Sequence, residues 1–289
     1  MAPRPCSSLP FFIPTPPFGV RSRCFDGRAA PTLFYNISSS DMAGHNKWSK
    51  VKHTKGPADA KRSNIFAKLS KEITVAAKSG GNPDMNARLR SAILNAKAVN
   101  MPNDTIDRAI KKGTGELGGA VIEEIVYEGY APGGVAMLVE VATDNRNRTA
   151  QDLRTMFSKN NGTFADAGSV AYLFQRKGEI RLDKGSLTED QATELALDCG
   201  ADDVMDDGDD WLLYTAWDQL FPVAAALKGN NMASKSQRLI YHPVTTLTID
   251  DPTIAVQLVR LYDVLDDYDD TQNVFANFEL TDAAAAALS

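Results

Sequence analysis

Cysteine is scarce in this 289-residue chain: three occur (Cys6, Cys24, Cys199), scattered and odd in number. That count excludes a disulfide framework or a cysteine-rich zinc site and fits a reducing compartment. Long apolar runs are missing too. The best, Val135 to Val139 and Val223 to Leu227, fall far short of the ~18 consecutive apolar residues of a membrane span. Histidine is equally rare. His45, His53 and His242 offer no metal spacing, and no Ser-His-Asp or Cys-His arrangement suggests nucleophilic catalysis. No cofactor, no metal and no membrane partner are expected, and a hydrolase or dehydrogenase is disfavoured. What is present, 43% hydrophobic and 24% charged residues, is ordinary globular usage, long enough for two or three domains with their own cores.

The net charge of −6 argues against a nucleic-acid partner only until it is divided by segment. Residues 1–41 carry four arginines and two aspartates, residues 42–113 carry 15 basic and 5 acidic groups, and residues 114–289 carry 12 basic and 30 acidic groups. A cationic module is thus joined to an acidic body. The first 41 residues hold seven of the 14 prolines and the Ser38-Ser39-Ser40 run, with no helical or strand period, and read as an unstructured extension. Arg4, Arg21, Arg23 and Arg28 suit an organellar transit peptide, mitochondrial or plastid, whereas prolines at 14, 16 and 17 would break the amphipathic helix a mitochondrial signal needs. The favoured reading is a misassigned start, with Met42 as first residue and a cytoplasmic protein; the transit peptide is the alternative.

From Met42 to about Gly119 the pattern is helical. After Pro57, Ile65, Leu69, Ile73 and Ala76 recur at helical spacing until Gly80-Gly81; a second helix follows Asn82-Pro83, with Leu89, Ile93 and Ala96 inside; a third runs from about Asn103 to Gly113. Before them an arm interleaves Lys47, Lys50, Lys52 and Lys55 with His45, Trp48 and His53. Such an arm can follow phosphates while its aromatic stacks on a base. Candidate nucleic-acid contacts are Lys47, Trp48, Lys50, Lys52, His53, Lys55, Lys61, Arg62, Lys68, Arg88 and Arg90; a solvated helix surface is the plain alternative for these charges.

Beyond Val121 the period becomes that of strands: Val121 to Tyr127 and Val135 to Val141 flank a Gly/Pro-rich turn. The polar loop Thr143 to Arg148 then leads into a helix with Leu153 and Phe157 inside, Thr149 and Asp152 giving a near capping box. Asn145, Arg146, Asn147 and Arg148 beside a helix N-terminus suit an anion such as phosphate; equally, the arginines suit pairing with the acidic body. Further expected elements are a strand over Val170 to Phe174, a strand pair flanking His242-Pro243, a long helix from Pro252 to Leu265, a last strand over Val274 to Phe278, and a frayed tail from Ala283 to Ala287. Gly113, Gly115 and Gly118 satisfy G-x-G-x-x-G but follow a helix and precede strands, the reverse of a dinucleotide site. Residues 202–210 fail the calcium-loop pattern, since Met205 and Tyr214 stand where ligands belong, and read as a solvated acidic turn.

Met42-Ala43-Gly44-His45-Asn46-Lys47-Trp48-Ser49-Lys50, Tyr127-Glu128-Gly129-Tyr130-Ala131-Pro132-Gly133-Gly134, Thr143 to Thr149 and Gly168-Ser169-Val170-Ala171-Tyr172-Leu173-Phe174 together resemble signatures of the YebC/PmpR family, collinearly over about residues 42–282. The resemblance implies an α+β protein of three domains: a basic three-helix bundle (42–119), then two mixed α/β domains with antiparallel sheets, the last (177–236) inserted in the middle one (121–176 and 237–282). It implies a nucleic-acid-binding regulator of gene expression, with DNA as the first partner and no catalytic residues. The alternative within the family is a ribosome-associated translation factor contacting ribosomal RNA. An enzyme acting on a phosphorylated small molecule at the Asn145 to Arg148 loop is the reading from a different class.

Overall fold

The computed structural model describes residues 58–118, 120–185 and 187–288, with side-chain surroundings from Ser63 onward. Over these residues the fold is α+β. Three helices come first: α1 (Ala58–Ala77), α2 (Ala87–Ala98) and α3 (Asn103–Gly113). Their apolar residues recur every three to four positions, so Ile73, Ala76, Ala77, Leu89, Ala92, Ala96, Met101, Ile106 and Ala109 meet in one core. Gly80 adopts φ +142° just past the end of α1, a conformation glycine takes without strain. The second helix starts later than its Asn82-Pro83 signal, because residues 82–86 form a turn first. Asn86 then serves both helices. Its Oδ1 accepts the Leu89 N–H at 3.1 Å, while its Nδ2 donates to the Ala76 and Gly80 carbonyls, closing one helix end and opening the next. Gly113 is required by proximity, since a Cβ there would stand 2.3 Å from the Thr74 carbonyl oxygen.

One sheet follows, built from β1 (Glu123–Ala131), β2 (Val135–Thr143), β3 (Thr163–Ala165) and, much later in the chain, β9 (Thr271–Ala276), in the order β3-β1-β2-β9 and antiparallel throughout. The β1–β2 hairpin pairs Ala131 with Val135 across Pro132-Gly133-Gly134. Residues 123–131 replace the expected strand start at Val121, which is exposed. α4 (Arg146–Lys159) and α7 (Pro252–Asp266) cover this sheet, burying Leu153, Phe157, Leu258, Leu261 and Leu265 against Val139, Val141 and Val274.

A second antiparallel sheet, ordered β5-β6-β4-β7, consists of β4 (Phe174–Asp183), β5 (Asp203–Asp206), β6 (Asp210–Ala216) and β7 (Ser234–Pro243). α5 (Glu189–Cys199), opened by a Thr188/Gln191 capping box, and α6 (Leu220–Gly229) cover one face, with Ile180, Leu182, Trp211, Leu213 and Leu227 in a separate core. β8 (Leu247–Ile249) pairs in parallel with β10 (Phe278–Leu280), and α8 (Asp282–Ala286) ends the described chain.

Four local expectations change. Val170 to Phe174 is not a strand: Ala171–Leu173 form a 3-10 turn before β4, because the N–H groups there bond to a side-chain carboxylate and not to a neighbouring strand. The strands either side of His242-Pro243 do not pair with each other; β7 joins β4 and β8 joins β10. The alanine-rich tail is helical, capped by Thr281, with Ala284 fully buried. The acidic turn is only partly solvated, since Asp207 and Asp210 are buried and paired with Arg181 at 2.9 and 3.2 Å.

Candidate nucleic-acid interface

Helix α1 carries two stripes. Leu69, Ile73 and Ala76 face α2 and α3, whereas Lys68, Lys71, Glu72, Val75 and Lys78, spaced three and four apart, turn toward the body. Lys68 Nζ donates to the Asp266 carboxylate at 2.9 Å and to the Asp266 carbonyl at 2.8 Å, at the end of α7. Lys71 Nζ donates to Asp270 Oδ1 at 2.9 Å and to the Asp269 carbonyl at 2.6 Å, and Lys78 donates to the Ile122 carbonyl. On α2, Arg88 pairs with Glu124, and Ser91 and Asn95 donate to the Gln237 carbonyl at 2.9 and 3.0 Å. Apolar contact along this seam is a small cluster of Val75, Ile122 and Ala142, which at about 1.5–3 kcal/mol per large aliphatic side chain leaves polar contacts a comparable share. Glu72 sits half-buried in the seam. Burial first, then Glu124 and Glu140 nearby, push its carboxyl up to about 7 against the pull of Arg88 and Arg238.

Asp270 is the knot of this arrangement. Its Oδ2 accepts from Arg148 at 2.9 Å, Thr149 at 2.9 Å and Thr143 at 3.1 Å, while Lys71 takes Oδ1. Burial works against ionisation there, but the bonds from Lys71, Arg148 and Thr149 prevail and hold the carboxyl far below its ordinary range. The N-cap of α4 is Asn145, whose Oδ1 accepts the Arg148 N–H at 3.2 Å. Thr149 therefore lies inside the helix and bonds Asp270, so the expected Thr149/Asp152 box is replaced; Asp152 instead accepts from the Tyr268 hydroxyl at 2.8 Å.

The sequence-derived candidates divide accordingly. Lys47, Trp48, Lys50, Lys52, His53 and Lys55 lie outside the described residues, and Lys61 and Arg62 fall in the first turns of α1. Lys68 and Arg88 face the body and are paired with it, whereas Arg90 is exposed. In the α4 loop Arg148 is bound to Asp144 and Asp270, Asn145 is the cap, and Arg146 and Asn147 are exposed, the Arg146 carbonyl accepting from the Tyr127 hydroxyl. Sequence reasoning passed over Lys97, Arg108, Lys111 and Lys112. All four are exposed, and like Arg90 and Arg146 they have no ion pair among the described residues. The available signal was angular: Arg90 and Lys97 are seven residues apart, on the face of α2 opposite Ser91 and Asn95, and Arg108 and Lys112 are four apart on α3.

A small helical unit, fastened by ion pairs to an acidic α+β body and carrying further exposed cations on α2 and α3, defines the class of protein the fold belongs to. The chain belongs to the TACO1/YebC family. Residues 46–116 match the TACO1/YebC N-terminal domain, and residues 122–278 match the second and third domains. It is 53% identical over 244 residues to a "probable transcriptional regulatory protein" of Akkermansia muciniphila, covering 83% of this chain and 97% of that one. It is 51% identical over 242 residues to a protein of the same description from Syntrophobacter fumaroxidans, with the same shares covered. The crystal structure of a conserved hypothetical protein from Aquifex aeolicus is similar, with a TM-score of 0.75 at 42% identity over 82% of this chain and 98% of that chain.

Proposed function

We propose that this chain is a nucleic-acid-binding regulator of gene expression, of the transcriptional type for which its relatives are named, and that it grips phosphates with the outer face of its helical unit. The observation that carries the reading is the sorting of cations: Lys68, Lys71 and Arg88 are neutralised by the body, whereas Arg90, Lys97, Arg108, Lys111 and Lys112 are exposed and unpaired among the described residues. The arm with Lys47, Lys50, Lys52 and Lys55 would extend that face. The three largest buried clusters support division of the chain into 42–119, 121–176 with 237–282, and an inserted 177–236, although β4 and β7 run across the last boundaries and Leu212 and Tyr214 pack with Ile240 and Phe275 across them.

The outer cations belong to two helices and not to one base-reading helix, which suits contact with phosphate backbones and favours ribosomal RNA as the second reading. The test is binding of the full chain to duplex DNA and to ribosomal RNA across a salt series. Replacing all five outer cations by alanine should remove about 4.5 from the slope of log K against log salt on DNA, at ~0.9 per phosphate contact. An unchanged slope overturns the reading. Co-sedimentation with ribosomes that survives loss of DNA binding would move the assignment to translation. The phosphorylated-substrate alternative draws no support from the α4 loop, where the buried Asp270 carboxylate accepts from Lys71, Thr143, Arg148, Thr149 and Tyr268.

A further inference from the structure

The loop Gly168 to Leu173 is clamped on all sides and still displays an aromatic ring to solvent. Beneath it lies Glu128, 6% exposed, whose carboxylate accepts the backbone N–H groups of Gly168 at 2.6 Å, Val170 at 2.6 Å and Ala171 at 3.0 Å. Burial opposes the charge, yet these N–H groups prevail and hold the carboxyl below its ordinary value. The Tyr130 hydroxyl donates to the Ser169 carbonyl at 3.0 Å, and the Val244 N–H to the Leu173 carbonyl at 2.8 Å. Val170 is completely buried, and Gly168 has φ +89°, which a side chain would strain. Tyr172, in the middle of this fixed turn, remains 72% exposed. A ring that neither packs nor fills a core, on backbone this tightly held, is preorganised for a contact outside the chain.

The surroundings select the partner. The body carries 30 acidic residues over 114–289, yet residues 167–178 and 219–249 contain none. These two acid-free stretches meet in space, since β4 and β7 pair Phe174 with Pro243, Gln175 with His242, Arg176 with Tyr241 and Lys177 with Ile240. Arg238 and Lys235 within them are already bound to Glu179 and Asp210, whereas Arg176 is exposed and lies over the Tyr241 ring at 5.2 Å. An exposed aromatic four residues before an exposed arginine, where two acid-free stretches of the acidic body meet, fits the base-and-backbone pattern of a single strand. We propose that Tyr172 is a stacking platform for an unpaired nucleobase, giving the acidic body its own contact with single-stranded nucleic acid. This rests on the nucleic-acid reading above and adds a second site to it.

The test uses the full chain, a labelled single-stranded RNA of mixed sequence and its duplex, with anisotropy measured across a salt series. Tyr172→Ala should weaken single-strand binding by about tenfold while leaving duplex affinity and the salt slope as in wild type; Tyr172→Phe should bind like wild type. Unchanged single-strand affinity in Tyr172→Ala overturns the proposal and leaves the ring to a protein contact. Equal losses on both probes, with a reduced slope, overturn it too, because a stack is neither duplex-competent nor ionic. The outer-cation variant separates the two readings. If that variant loses binding and Tyr172→Ala does not, only the stacking site fails; if neither loses binding, both readings fail.

Discussion

Two sets of cations on the same three-helix unit differ in nothing a sequence count can see. Lys68, Lys71 and Arg88 form an inner row that ends on Asp266, Asp270 and Glu124. Arg90, Lys97, Arg108, Lys111 and Lys112 form an outer row that ends in solvent. The lesson is that a cationic excess in a module is not equivalent to a binding face. Part of it fastens the module to its own acidic body, which acts there as an internal counter-ion, and only the remainder is available to another polyanion. The same division runs through the α4 loop, where Arg148 is bound inward and Arg146 is exposed.

The contrast can be broken most severely at its knot. Asp270→Asn leaves Lys71, Arg148 and Thr149 without their shared acceptor charge and should lower stability by about 3 kcal/mol, read by chemical denaturation at neutral pH. Because the Asp270 carboxyl titrates below its ordinary value, its contribution is present at pH 5 and above and fades only as pH falls into the strongly acid range. Next in size is Glu72→Gln. An acid held up to about 7 from 4.5 is mostly protonated in the docked fold at pH 5 and about half ionised near pH 7, so its contribution is whole below 4.5 and is lost as pH rises through 7. Wild type should therefore lose about 1–3 kcal/mol relative to the variant between pH 5 and 8; parallel pH curves for the two proteins would contradict that.

Smaller still, Lys68→Ala should cost about 1 kcal/mol and leave the salt slope for DNA unchanged, since its charge is already spent on Asp266. Arg90→Ala should do the reverse. It should leave the melting temperature within a degree or so, given that surface changes stay within about 0.5 kcal/mol, yet take about 0.9 from the salt slope. If Lys68→Ala and Arg90→Ala behaved alike in both assays, the distinction between inner and outer rows would have no content.

The three helices of the helical unit were legible because their signals are local, although the second begins at Ala87, past its Asn82-Pro83 signal. Gly80 and Gly113 end two of the helical periods, and α3 runs over Asn103–Gly113 as the pattern implies. The α4 loop was legible only as chemistry. Its polar residues announced a site near a helix start, but the acceptor that engages Arg148, Thr143 and Thr149 lies about 120 residues further along the chain, as Asp270. Val170 to Phe174 misled for a similar reason: its β-branched and aromatic residues fit a strand, and the distant Glu128 carboxylate takes the N–H groups a strand would have used.

Sequence alone therefore determined the quantities that depend on composition and short-range spacing: a basic helical module before an acidic α+β body, the number and order of its helices, and kinship carried by long collinear motifs. Tertiary structure decided which charges are free. Ion pairing falls off within a few ångströms and joins residues such as Lys68 and Asp266 that stand far apart in the chain. Helical period can say that Lys68 and Arg90 are both off the core, but only the docked body distinguishes the one it neutralises from the one it leaves exposed.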